Sequence, residues 1–209
     1  MSKELRYNEP WILQRADPYV YRHTDGNYYF TASVPEYDRI VLRRSKNLAG
    51  LKDAEEVTVW EKHKEGIMSE HIWAPELHYI DSKWYLYFAA GRAEDPWWIR
   101  TWVLENTSQD PFCGEWVEKG MLVPEWDSFM LDTTVFENKG KHFAVWAQKS
   151  PEKTENSCLY LAEMSSPYEL KFPVTMLSRP EFDWECRGFK VNEGAAVLKR
   201  NGKIFITYS

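Results

Sequence analysis

Short runs rich in apolar and aromatic residues come in pairs joined by short polar turns, a pattern that predicts β-hairpins. One unit recurs four times: a strand, a tight turn and a second strand rich in large apolar residues. The first unit runs from Pro18 to His23, turns at Asp25-Gly26, continues through Asn27–Ser33 and adds a further strand from Arg39 to Ser45. The second runs from Glu76 to Ile80, turns at Asp81-Ser82, continues from Lys83 to Phe88 and adds a strand from Trp98 to Leu104. The third runs from Thr133 to Glu137, turns at Lys139-Gly140, continues from Lys141 to Trp146 and adds a strand from Ser157 to Glu163. The fourth runs from Ala195 to Lys199, turns at Asn201-Gly202 and continues from Lys203 to Ser209. Asp-Gly and Asn-Gly favour type I′ turns, because both central residues need positive φ. The turns lie roughly 56 to 62 residues apart, a spacing that suits a four-stranded propeller blade with its loops. A β-sandwich of meander sheets is the alternative. No long stretch with a 3.6-residue period competes, so the chain is expected to be all-β and a single propeller domain over 1–209. The fourth unit stops after two strands and would leave an unpaired sheet edge, so a continuing C-terminal segment or a second chain is expected to complete it.

Aromatic residues make up 16% of the chain, enough to serve both sheet cores and sugar-stacking surfaces. The Trp97-Trp98 pair reads as blade core, with a sugar platform as its alternative. A net charge of −6 without a basic stripe argues against nucleic acid as a partner. No segment approaches the roughly 18 apolar residues of a membrane span, and Met1 to Pro10 holds no apolar run of a secretory leader. No membrane association and a cytoplasmic location are therefore expected. Three cysteines, widely spaced and without a CxxC, indicate neither a disulfide framework nor a zinc site.

Candidate chemistry comes from register. Nine residues before each turn glycine or its equivalent stand Asp17, Trp73 and Glu193, and eight before the third stands Asp132. In a propeller these positions begin the innermost strands and converge on one mouth. Acids at strand starts are unfavourable unless something uses them, and three carboxylates around one cavity push at least one pKa upward. Glycoside hydrolysis uses such a set: one ionised carboxylate, one protonated acid and a cavity for the sugar. Trp73 would offer an aromatic face. Taken singly, each residue has a plainer reading: Asp17 before Pro18 as a turn cap, Asp132 as an Asx turn, Glu193 as an ordinary loop residue, Trp73 as core. Glu70-His71 and Glu76-x-His78 do not form HExxH, and GxSxG, P-loop and GxGxxG motifs are absent.

The segments Arg15–Val20, His71–Leu77, Leu131–Thr134 and Lys190–Gly194 together resemble glycoside hydrolase family 43, and the run Thr31–Arg39 is similar to its exo-acting α-L-arabinofuranosidase group. The resemblance covers nearly the whole chain. It implies a five-bladed β-propeller, of which about three and a half blades are present, and an inverting hydrolase that releases terminal arabinofuranosyl residues from arabino-oligosaccharides. By that likeness Asp17 is the general base and Glu193 the general acid, while Asp132 orients Glu193 and holds its pKa up. Trp73 is a wall of the sugar pocket, and His71, Tyr37, Phe129 and Gln148 line the same mouth. No cofactor is expected beyond a central calcium ion in the complete propeller, where a fifth blade contributes an arginine and a channel histidine. A β-xylosidase or bifunctional enzyme is the alternative within the class. A non-catalytic sugar-binding propeller, or a fragment of a split enzyme needing a partner chain, is the alternative outside it.

Overall fold

A computed structural model describes residues 10–152 and 154–209; most of Met1–Pro10, from which the cellular location was read, lies outside them. Among the described residues, fifteen strands form four antiparallel sheets. The first sheet orders β1 (Ala16–Arg22), β2 (Tyr28–Ser33), β3 (Arg39–Ser45) and β4 (Val57–Glu61) side by side. The second does the same with β5 (Ile67–Ile80), β6 (Lys83–Arg92), β7 (Asp95–Asn106) and β8 (Val117–Met121). The third holds β9 (Met130–Asn138), β10 (Lys141–Gln148) and β11 (Cys158–Ser166), with β12 (Glu169–Leu170) and β13 (Thr175–Ser178) both pairing to β11. The last is a two-stranded hairpin, β14 (Ala196–Arg200) with β15 (Lys203–Thr207). The innermost strands meet in the order β1, β5, β9, β14. This is three blades and the beginning of a fourth of a five-bladed β-propeller.

Each blade packs on the next through aromatic and aliphatic side chains that alternate off the sheets. Between the first and second sheets lie Tyr29, Ile40, Leu42, Leu77, Trp84 and Phe88; between the second and third lie Tyr87, Val103, Met130, Trp146 and Tyr160. The hairpin is different in kind: Leu198, Ile204 and Phe205 on it are exposed.

Three of the four expected turns are two-residue turns with both central residues at positive φ: Asp81-Ser82, Lys139-Gly140 and Asn201-Gly202. Asp25-Gly26, one of the two stronger signals in the sequence, is not. The strands there pair last at Arg22 and Tyr28, leaving a five-residue loop. The reason is local. The Asp25 carboxylate accepts from the Asn27 backbone N–H at 2.8 Å, the Asn27 side chain at 2.7 Å and the Tyr29 hydroxyl at 2.8 Å, an Asx turn that competes with the tight hairpin.

Candidate active site

A cavity of about 280 Å³ opens among the starts of the inner strands, lined by Asp17, Tyr37, Trp73, Phe129, Leu131, Asp132 and Glu193. The three acids from three separate sheets and the tryptophan thus share one space. Leu131 was not legible as a lining residue, since in the sequence it is one more apolar strand position.

The three residues carried by strands reach the cavity in the same way. Each sits where the ladder slips: Asp17 between Ala16 and Tyr19 of β1, Trp73 within β5, and Asp132 between Leu131 and Thr134 of β9. An extra residue in one strand bends it and re-aims a side chain. The backbone shows the cost, with φ of +50° at Asp17 and +53° at Asp132, and with neighbouring Tyr37, His71 and Ala74 at +52°, +56° and +44°. Left-handed geometry in residues other than glycine costs roughly 1–2 kcal/mol each, somewhat less for Asp. Such strain gathers where surrounding structure holds it for use.

Asp17 is held by a relay that joins two blades. The Ala74 backbone N–H donates to Ser33 Oγ at 2.8 Å, and Ser33 Oγ lies 2.9 Å from Asp17 Oδ2. A backbone N–H can only donate, so the hydroxyl keeps its single proton for the carboxylate. One Asp17 oxygen is thereby fixed in place. Nothing in the sequence singled out Ser33; its role exists because the bulge in β5 turns the Ala74 N–H out of the ladder.

Glu193 is positioned differently, from a loop. Its backbone N–H and C=O both pair with Ser209 at 3.0 Å. The next N–H, of Gly194, donates to Asp132 Oδ2 at 3.0 Å, and Gly194 takes φ +64°. On the other side, Asn192 is wholly buried and gives its side-chain N–H groups to Ser178 Oγ and Glu185 Oε1. The buried Glu185 carboxylate also accepts from the backbone N–H groups of Glu181 and Phe182, both at 2.7 Å, and from the Tyr208 hydroxyl at 2.9 Å. Burial alone would raise its pKa, but these donors hold it below the ordinary carboxylate value.

Burial, with the charges of Glu193 and Asp17, pushes Asp132 up to about 8 against the opposing Gly194 N–H. Glu193 is also raised, by burial first and by the Asp17 charge second. The charge that raises Glu193 belongs to Asp17, and Asp132 is in turn raised by Glu193 and Asp17. Asp17 thus faces two carboxyls with elevated proton affinity.

His71 is not among the residues lining the cavity but stacks on Trp73, which is, with ring centroids 4.5 Å apart. Gln148 is not there either. It is fully buried, taking the Trp146 indole N–H and donating to Trp126 O and Ser128 Oγ. Its amide is spent on pinning the loop that ends at Phe129, which does line the cavity. Among the described residues no group of three His, Cys, Asp or Glu is placed to hold a metal ion, so these residues offer no ligand set for the calcium the likeness implies.

The fold and the site together define a partial β-propeller with an acidic cavity at the starts of its inner strands. Residues 7–209 match the glycosyl hydrolases family 43 profile, and the chain belongs to that family. It is 57% identical over 203 residues to the extracellular exo-alpha-(1->5)-L-arabinofuranosidase of Streptomyces chartreusis, covering 97% of this chain and 62% of that protein. It is 49% identical to the protein of the same name from Streptomyces avermitilis, covering 100% of this chain and 43% of that one. The crystal structure of alpha-L-arabinofuranosidase from Lactobacillus brevis superposes with a TM-score of 0.91 at 51% identity, covering 95% of this chain and 64% of that one. The chain thus spans less than two thirds of these relatives. Both Streptomyces proteins are named extracellular, which overturns the cytoplasmic location read from the first ten residues. Ten residues without an apolar run carry no information about compartment once relatives with the same folded domain act outside the cell.

Proposed function

We propose that the protein is an inverting glycoside hydrolase that removes terminal α-L-arabinofuranosyl residues from arabino-oligosaccharides. The observation that carries this reading is the meeting of Asp17, Asp132 and Glu193 around a single cavity. Its volume, about 280 Å³, sits at the small end of ligand pockets, which run from roughly 300 Å³ upward, and this suits one terminal sugar better than the middle of a polymer. The names of the relatives favour arabinofuranose over xylose as that sugar.

In this reading Asp17 is the general base. Ser33 occupies one of its oxygens and leaves the other to take the proton of an attacking water. Glu193, raised by burial and by Asp17, keeps its proton closer to neutrality and gives it to the departing oxygen. Asp132 accepts the Gly194 N–H and so fixes the backbone that follows Glu193. Being neutral below about pH 8, it adds no negative charge that would hold back the proton Glu193 must give up. Trp73 and Phe129 wall the sugar.

The test is hydrolysis of α-1,5-linked arabinobiose by the full-length protein and its Asp17→Asn and Glu193→Gln variants, with the first-formed anomer read by NMR. Each variant is expected to lose about 10²- to 10⁴-fold in kcat, and the product is expected to appear with inverted configuration. Glu193→Gln should lose far less on an aryl arabinofuranoside, whose leaving group needs little protonation. Wild-type turnover in Asp17→Asn would remove the proposal, and tight sugar binding without turnover by the wild type would assign a binding module instead.

A further inference from the structure

Two adjacent tryptophans at the start of β7 have separate fates. Trp98 packs against the core between the first two blades, with Arg92 and Arg100 guanidinium groups 4.6 and 4.3 Å from its ring centroid. Trp97 is 68% exposed. The reading of the pair as blade core holds for Trp98 only.

The exposed ring is not isolated. Its centroid lies 5.0 Å from that of His71 and 6.1 Å from that of Trp73, His71 stacks on Trp73 at 4.5 Å, and Tyr37 meets Trp73 edge-on at 5.8 Å. Tyr37 and Trp73 line the acidic cavity, whereas His71 and Trp97 do not. A contiguous aromatic strip therefore leads from two residues of the cavity wall to a large ring left in water. A single exposed apolar residue needs no explanation, but one continuous with a ligand cavity does.

The pedestal is built for rigidity. The hairpin that carries Trp97 closes with Arg92 paired to Asp95, and the Ala93 N–H donates to Gly66 O at 3.0 Å. At Gly91 a side chain would bring a Cβ to 2.2 Å from the Pro96 carbonyl oxygen, so the absence of one lets the backbone just before Trp97 press flat onto β6. A flat ring on a fixed support, beside an imidazole with polar nitrogens, has the composition that recognises a sugar: an apolar face to stack on and a hydrogen-bonding edge for a hydroxyl.

We propose that Trp97 and His71 form a leaving-side subsite that stacks on the pentosyl unit next to the scissile bond of an oligosaccharide. The inference rests on the hydrolase reading above. A cavity sized for the terminal sugar leaves the remainder of the chain outside it, where the strip continues. Trp97 makes its contact in ground and transition states alike, so its loss should appear mainly in KM.

The experiment compares wild type, Trp97→Ala and Trp97→Phe in the full-length protein on α-1,5-linked arabinotriose and on methyl α-L-arabinofuranoside, whose leaving group is too small to reach the strip. Trp97→Ala is expected to lose about tenfold more kcat/KM on the trisaccharide than on the methyl glycoside, carried by KM, and Trp97→Phe is expected to recover most of the difference. Equal losses on both substrates, or no loss on either, would overturn the subsite. Binding of arabinotriose and of free arabinose is measured as well in Glu193→Gln and in Glu193→Gln/Trp97→Ala. A selective loss of trisaccharide affinity there supports the subsite even if the assignment of catalytic roles fails, and its absence overturns the subsite even if those roles stand.

Discussion

Trp73 and Glu193 face the same cavity from regions of opposite character. Trp73 belongs to the second blade, whose middle strands are buried nearly throughout and whose core contains the wholly buried Trp84. Its aim is set by bulges inside a sheet that cannot move. Glu193 precedes a hairpin whose apolar side chains stand largely in water, and its aim is set by hydrogen bonds at Ser209, Gly194, Asn192 and Glu185. Packing positions one wall of the site; a polar network positions the other. The difference teaches that stability and activity are separable here, because the elements that hold the molecule together are not those that hold the acid in place.

The largest expected effect sharpens that contrast. Trp84→Ala empties a core site between two blades and is expected to cost about 3–5 kcal/mol of global stability, read by denaturant unfolding, while the molecules that remain folded keep their kcat. Glu185→Ala should do the reverse. Unfolding of the blades changes little, yet kcat falls by at least about tenfold and backbone hydrogen exchange speeds up over 181–209. A Glu185→Ala variant with full kcat would show that packing alone positions Glu193.

Next in size is Asp132→Asn. In the unfolded chain this carboxyl titrates near 4, but in the folded protein at about 8, so folding takes up a proton between those values. Stability from this group is present below about pH 4 and is lost as pH rises toward 8. The asparagine variant removes the loss while still accepting the Gly194 N–H. Its advantage over wild type is expected to be near zero at pH 4 and to grow by several kcal/mol by pH 8; a constant offset across that range would refute the assignment.

The smallest effect concerns the relay between the first two blades. Ser33→Ala leaves the buried Ala74 N–H and one Asp17 oxygen unpartnered and is expected to lower kcat about tenfold with little change in KM. Ser33→Thr, which keeps the hydroxyl, should restore kcat. Full kcat in Ser33→Ala would mean that the relay does not position Asp17.

Much of this was legible in the sequence because apolar runs, turn residues and register are local. The four hairpin units, the shared position of Asp17, Trp73, Asp132 and Glu193, and the family motifs all read directly from neighbouring residues. What was not legible arises from contacts between units. Ser33 matters only because Ala74, 41 residues away, loses its place in a ladder. Gln148 stands close to the site in sequence pattern, yet its amide is consumed by Trp126 and Ser128. Trp97 and Trp98 are neighbours with the same side chain, and only the third dimension separates the one in the core from the one in water. Asp25-Gly26 had one of the two strong local signals for a tight turn and lost it to the reach of a single carboxylate.

The left-handed residues around the cavity have a consequence for how such a protein would change under selection. Glycine at position 17, 37, 71, 74 or 132 would relax the main chain, and at four of the five it would also erase a side chain that faces or backs the sugar. A library screened for heat resistance alone should therefore drift toward glycine at these sites, yielding hardier molecules with an empty, inert bowl where the acids and rings once stood.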